Sequence, residues 1–189
     1  IEALFGVARL DMEGMLSVRD LKAELRSLKP ADQALRVSLT ADRDPDDAFT
    51  GVPYTKGALF LRHLERTFGR DAFDAFLKSY FERNAFQSVT SDGFLSELNE
   101  GLLSKNPVAA AKAKLDEWLN GPGLPADAPL FTSEALDRID AQIAVWKAGR
   151  KATEAFETKA WTTQEWVHFV QAVGDTLPHE KLGELDETF

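Results

Sequence analysis

Few side chains in this sequence are of the types that carry out chemistry. It has three histidines, two tyrosines and no cysteine. Without cysteine the chain can form neither a disulfide scaffold nor a thiolate metal site. Imidazole, carboxylate and phenol groups therefore remain as candidates for metal ligands, acid–base groups or hydrogen-bond donors.

The histidines do not combine into a metal site. His63 lies between charged neighbours on a helix, which predicts a surface or rim position, and His168 has no acid at ligand spacing. The segment 179–183 matches the first half of the zinc-binding His-Glu-x-x-His helix, but Gly183 occupies the place of the second imidazole. Because zinc needs two imidazoles one turn apart to be held from one helix face, we interpret this match as false. The sequence predicts no metal ligand in this chain.

Four aspartates form the most acidic stretch of the chain: Asp42, Asp44, Asp46 and Asp47. Alternating carboxylates suggest calcium, but an EF-hand loop also needs a central glycine and a closing glutamate. Both are absent here, and Pro45 interrupts the alternation. A solvated acidic turn is the favoured interpretation.

Tyr54 lies where this polar, proline-broken segment runs into a strongly apolar helix pattern. One interpretation is a tyrosine that packs at the start of the helix. The other is a phenol that donates a hydrogen bond to a developing oxyanion. A neutral phenol suits that task because it donates without a charge that would need to be desolvated.

Most of the chain has apolar residues at helical spacing, so helices are predicted to position these groups. Leu35, Val37 and Leu39 alternate with polar residues and predict one short edge strand. Ser17 is a candidate N-cap for a second helix within residues 1–28. The predicted helices cover residues 1–28, 58–68, 71–81, 89–103, 107–119, 132–149 and 163–173, with a last helix beginning at Pro178.

The clearest boundary is the segment 120–129, which contains three prolines and two glycines. We expect a domain at 1–120, a Pro/Gly-rich linker at 121–131 and a second helical domain at 132–189. The helices beyond the linker have the spacing of stacked pairs, which is how helical repeat arrays begin. The predicted fold class is all-α.

Composition limits the partners of the chain. Its net charge is −9 and its sequence pI is about 4.9. This acidity argues against nucleic acid or anionic lipid, because phosphate binding requires a basic footprint. No apolar run approaches the roughly 18 residues of a membrane span. Neither end reads as natural, so we expect a fragment of a longer soluble protein, either cytoplasmic or periplasmic.

Several separated motifs carry a resemblance to a known family. Val52-Pro53-Tyr54-Thr55-Lys56-Gly57-Ala58 resembles the segment around the catalytic tyrosine of the gluzincin zinc aminopeptidases, the aminopeptidase N family. Segments 44–46, 76–80, 87–92 and 118–125 are similar, in the same order, to the leukotriene A(4) hydrolase-like bacterial aminopeptidases of that family. The resemblance covers residues 1–130 well and the remainder loosely.

The resemblance implies an activity and roles for three residues. It implies the C-terminal part of a thermolysin-like catalytic domain, followed by the first helices of an armadillo/HEAT-like domain. Tyr54 matches the tyrosine that stabilises the tetrahedral intermediate, and Asp46 matches an aspartate that lines the substrate pocket. Phe49 replaces a second tyrosine in that pocket, which favours peptidase over epoxide hydrolase chemistry.

The resemblance also implies a cofactor and substrates. Zinc would be bound in the full-length parent by a His-Glu-x-x-His helix and a glutamate, all upstream of Ile1. The implied substrates are peptides that lose their N-terminal residue, and the chain alone would be inactive. The alternative function is that of a non-enzymatic helical module that binds peptides or proteins. Oligomeric state is left open.

Overall fold

The fold is all-α, as predicted. The computed structural model describes residues 1–37, 41, 44, 46, 49–149, 156–174 and 177–189, and contains no strand among them. Its helices are α1 (Glu2–Phe5), α2 (Val7–Leu25), α3 (Val52–Phe68), α4 (Arg70–Arg83), α5 (Ser91–Leu98), α6 (Pro107–Lys112), α7 (Leu115–Leu119), α8 (Glu134–Lys147), α9 (Thr163–Val173) and α10 (His179–Thr188). Short 3-10 turns lie at Pro30–Gln33 and Thr158–Ala160, and a π turn at Asn99–Leu103 continues α5. None of the helices in these described ranges is long and apolar enough to span a membrane.

The chain divides into two compact units. Residues 18–130 form the first, here called the central unit, and residues 1–17 together with 131–189 form the second, the split unit. The Pro/Gly-rich segment therefore groups with the central unit. The domain boundaries expected from the sequence remain a prediction about the longer protein.

One face of α3 organises the central unit. Val52, Leu59, Phe60 and Leu64 recur at helical spacing and are all buried, and the helix contacts α4 and α6. Trp118 of α7 is fully buried, with its ring centroid 5.7 Å from that of Phe60. This apolar face holds the start of α3, and with it Tyr54, in a defined place.

The split unit has a core of its own. Its buried apolar residues are Met12, Leu16, Leu136, Ile139, Ile143, Trp146, Phe156, Phe169 and Val173. Its helices α8 and α9 begin where the sequence indicates. The Ser133 hydroxyl accepts a hydrogen bond from the Leu136 N–H at the start of α8. Thr162 and Glu165 form a capping box at the start of α9.

Three details of the sequence prediction are wrong. Leu35 and Arg36 form bends and Val37 has no regular structure, so no strand forms there. The Arg36 N–H donates to the Leu119 carbonyl of the central unit instead. Residues 38–40 of that predicted strand lie outside the described residues. The helix predicted over 107–119 is broken at Lys114, whose φ is +46°. Ser17 lies inside α2, where its hydroxyl donates to the Glu13 carbonyl instead of capping a helix.

Gly14 provides a stability test of the split unit. A Cβ at this position of α2 would lie 2.4 Å from the Phe131 ring. We expect Gly14→Ala to lower the free energy of unfolding by about 1–3 kcal/mol, the usual cost of overpacking. This loss should exceed the gain in helix propensity, which is about 1 kcal/mol. Urea denaturation followed by circular dichroism measures the difference.

Gly183 supplies the matched control. It lies inside α10, and a Cβ there would meet nothing within 4 Å. Gly183→Ala should therefore raise the free energy of unfolding by up to about 1 kcal/mol through helix propensity alone. Equal effects of the two substitutions would contradict the packing of Phe131 against Gly14.

Candidate active site

Tyr54 is the third residue of α3 and its side chain is 71% exposed. The helix begins at Val52, and Pro53 lies in its first turn. Proline suits that position because N–H groups in the first turn have no acceptor within the helix, so the N–H that proline lacks is no loss there. The prediction that Tyr54 lies at a loop-to-helix junction is confirmed, and the side chain is open to solvent rather than part of a core.

Asp46 and Phe49, the two residues predicted to line the substrate pocket, lie together on the approach to α3. The Asp46 N–H donates to Asp44 Oδ1 at 3.0 Å, and the Phe49 N–H donates to the Asp46 carbonyl at 3.0 Å. Both side chains are exposed. Asp44 and Asp46 thus form a solvated turn, as predicted, whereas Asp42 and Asp47 lie outside the described residues.

The start of α3 is anchored to α2 by a carboxylate. The Gly51 N–H donates to Glu24 Oε1 at 2.8 Å. The next N–H, that of Val52, donates to the Thr50 hydroxyl at 3.3 Å. Glu24 and Thr50 thereby satisfy two N–H groups at a helix end where no intrahelical acceptor is available.

A lysine lies on the buried side of the same turn. Lys56 is fully buried, although it is charged in its ordinary state. Its Nζ donates to the Gln33 carbonyl at 2.9 Å and to the Gly121 carbonyl at 2.7 Å. Burial removes the ammonium from water and lowers the pKa of Lys56 to about 8.

The two carbonyls that receive Lys56 belong to segments joined by the Gln33 side chain. Gln33 Nε2 donates to the Leu25 and Leu28 carbonyls at the end of α2, both at 2.9 Å. Gln33 Oε1 accepts from the Gly123 N–H at 2.9 Å. The segment predicted to be a linker is therefore hydrogen-bonded into the central unit near its beginning.

Two of the three histidines have structural partners. His63 is buried, not at the rim as predicted: its ring lies 5.4 Å from that of Trp118, and its Nε2 lies 3.2 Å from the Lys112 carbonyl oxygen. His168 lies 2.7 Å from Asp140, a carboxylate far away in sequence. In the described ranges, no three His, Asp or Glu side chains are grouped so that they could hold a metal ion.

Lys56, Glu24 and Gln33 are the residues of this region that sequence reasoning missed. Lys56 had a visible signal, because it lies four residues after Val52 and four before Phe60, on the apolar face of α3. A polar residue on such a face needs buried partners. Glu24 and Gln33 had no such signal, since the Gly51 and Gly123 N–H groups that they accept from lie 27 and 90 residues away.

Comparison with known proteins identifies the family. A profile of the Peptidase family M1 domain matches residues 3–118. The chain belongs to peptidase family M1. Human aminopeptidase B is 32% identical over 166 residues, which cover 82% of this chain and 26% of that protein. A leukotriene A-4 hydrolase homolog of Botryotinia fuckeliana is 32% identical over 133 residues, covering 69% of this chain and 20% of that protein.

Solved structures of M1 proteins have the same fold. Yeast LTA4 hydrolase in complex with bestatin superposes with a TM-score of 0.83 at 27% identity, over 93% of this chain and 30% of that one. The native enzyme from Saccharomyces cerevisiae gives a TM-score of 0.83 at 26% identity, over 99% of this chain and 33% of that one. This chain thus spans about a fifth to a third of these relatives.

Proposed function

We propose that the full-length protein is a zinc-dependent aminopeptidase that removes N-terminal residues from peptides, and that Tyr54 donates a hydrogen bond to the oxyanion of the tetrahedral intermediate. The observation that carries this proposal is the position of Tyr54 in a chain of family M1. Its phenol is exposed on the first turn of a helix whose N-terminal N–H groups and buried side are held by hydrogen bonds. Such an arrangement suits a donor that must be in place before charge develops.

The described residues do not fit zinc. The Nε2 atoms of His63 and His168 lie beside the Lys112 carbonyl and Asp140, and His179 lies on the first turn of α10, four residues before a glycine. We therefore assign the metal of the M1 family to ligands elsewhere in the full-length protein. The isolated chain is expected to be inactive for that reason.

Tyr54 contributes by its chemistry as a neutral donor. When the scissile carbonyl becomes tetrahedral, its oxygen gains negative charge, and a phenol O–H within hydrogen-bond distance stabilises that charge more than it stabilises the ground state. Asp46 and Phe49 would contact the substrate beside it. Phe49 has no hydroxyl, so it contributes apolar contact and no hydrogen bond.

Tyr54→Phe in the full-length enzyme tests the proposal. The substitution removes one hydroxyl from an exposed side chain, so the fold should be unaffected. We expect kcat on a peptide substrate to fall on the order of 100-fold, the usual loss when one oxyanion donor is removed. Zinc content and KM should remain close to wild type, because the lost interaction forms only in the transition state.

The control is Tyr80→Phe, which changes the chain's other tyrosine, on α4. It should leave kcat near the wild-type value. A Tyr54→Phe enzyme with unchanged kcat would show that the phenol has no part in the reaction.

A further inference from the structure

We propose that Lys56 is a positioning residue for Tyr54: by bonding the carbonyls of Gln33 and Gly121, it sets the place of the phenol relative to the rest of the site. This inference rests on the function proposed above for Tyr54. Lys56 itself is buried and so does not touch substrate. Its effect on the reaction would pass through the first turn of α3.

The geometry of the helix couples the two side chains. Two residues of an α-helix differ by about 200° around its axis, so Tyr54 and Lys56 point in nearly opposite directions from one turn. Tyr54 is 71% exposed, and Lys56 is 0% exposed. We therefore expect the loss of the Lys56 contacts to shift or tilt the turn that carries the phenol.

The two hydrogen-bond partners of Lys56 are groups that can fix the position of its ammonium. Both are main-chain carbonyls, at 2.9 and 2.7 Å, so they lack the rotational freedom of a carboxylate side chain. The Gln33 side chain joins the same two segments to the end of α2. Lys56 thus connects the first turn of α3 to a hydrogen-bonded part of the backbone.

Gly121 allows one of these contacts. A Cβ on residue 121 would lie 2.5 Å from the Glu117 carbonyl oxygen. Any larger residue would have to displace the backbone whose carbonyl receives Lys56. The glycine after α7 therefore has a role in the site, in addition to ending the helix.

Glu24 holds the other side of the same turn through the Gly51 N–H. The start of α3 is thus held at its N-terminal N–H by a carboxylate and at its buried face by an amine. The two contacts involve different atoms and different segments. Loss of Lys56 would leave the Glu24 contact in place, so we expect a displaced turn and not an unfolded one.

The experiment compares four variants of the full-length enzyme: Lys56→Met, Tyr54→Phe, the two combined, and Lys78→Met. Methionine is unbranched like lysine and only one atom shorter, but it cannot donate to the two carbonyls. Lys78 is an exposed lysine on α4 and serves as the matched control. Kinetic constants, zinc content and hydrogen exchange at residues 51–57 are measured for each.

We expect Lys56→Met to lower kcat at least tenfold, with KM and zinc content within about twofold of wild type, since a misplaced donor loses transition-state stabilisation only. The double variant should be no slower than Tyr54→Phe. Exchange at residues 51–57 should be faster in Lys56→Met and unchanged in Tyr54→Phe and Lys78→Met. Lys56→Gln keeps N–H donors on a shorter side chain and should show a smaller loss. It replaces the methionine variant if that variant folds poorly.

Each result bears on one of the two proposals. Three kinetic results would overturn the positioning role. They are a wild-type kcat in Lys56→Met, a raised KM with unchanged kcat in that variant, and a double variant whose loss equals the product of the two single losses. Unchanged exchange at residues 51–57 in Lys56→Met would do the same without reference to catalysis. Full activity of Tyr54→Phe would instead overturn the function proposed for the phenol.

Discussion

Replacing Trp118 by alanine is expected to lower the free energy of unfolding of the central unit by about 3–5 kcal/mol. The indole is fully buried and packs against the rings of Phe60 and His63, with centroid distances of 5.7 and 5.4 Å. Alanine would leave a cavity that these rings cannot fill without moving α3. Urea denaturation followed by circular dichroism measures the loss.

Trp118→Phe is the control for that experiment. It keeps an aromatic ring against Phe60 and His63 and removes less volume, so its cost should be clearly smaller than that of alanine. Because Phe60 and His63 lie on α3, the alanine variant should also increase hydrogen exchange in that helix. An alanine variant as stable as the phenylalanine variant would contradict the packing described here.

The second large effect is a dependence of stability on pH that comes from Lys56. Burial lowers its pKa in the folded protein to about 8, whereas the ordinary value is 10.5. Between these two values the unfolded chain binds more protons than the folded one, so the free energy of unfolding rises as pH increases. The values differ by about 2.5, and each unit corresponds to 1.36 kcal/mol, which gives a total on the order of 3 kcal/mol.

Comparison with Lys56→Met isolates this contribution, because the other lysines and the tyrosines titrate in both proteins. The stability of wild type minus that of the variant should be constant below pH 8 and should increase between pH 8 and about pH 10.5. A difference that does not vary over this range would show that the amine is not desolvated. A difference that falls with pH would mean that its pKa is raised rather than lowered.

The same titration has a consequence for the site. A neutral amine keeps two N–H donors, which is the number needed for the Gln33 and Gly121 carbonyls. Lys56 can therefore hold the first turn of α3 in either protonation state. Stability should change through this pH range while the position of Tyr54 is retained.

Local patterns in the sequence were sufficient wherever the governing interaction is itself local. Thr162 caps α9 because the hydroxyl of an N-cap residue reaches an N–H three residues later, within one turn. Helical spacing in α3 follows from burial of one stripe of apolar side chains. Tyr54 was placed at a helix start by the same reasoning, from a proline and the onset of that stripe.

Tertiary structure decided the features whose partners are distant along the chain. His168 meets Asp140, and Lys56 meets Gly121, across gaps that no local pattern covers. Lys114, with φ +46°, interrupts a helix that spacing alone would continue, and its Nζ lies 3.1 Å from Asp127 Oδ2.

By itself, then, the sequence determined the all-α class, most helix starts, the family resemblance and the candidate role of Tyr54. These depend on residue types, on periodicity within one turn and on short motifs. Only the tertiary structure showed that Lys56 and Glu24 hold the turn that carries Tyr54. Their partners are main-chain N–H and C=O groups, which every residue except proline carries and which therefore leave no mark on the sequence.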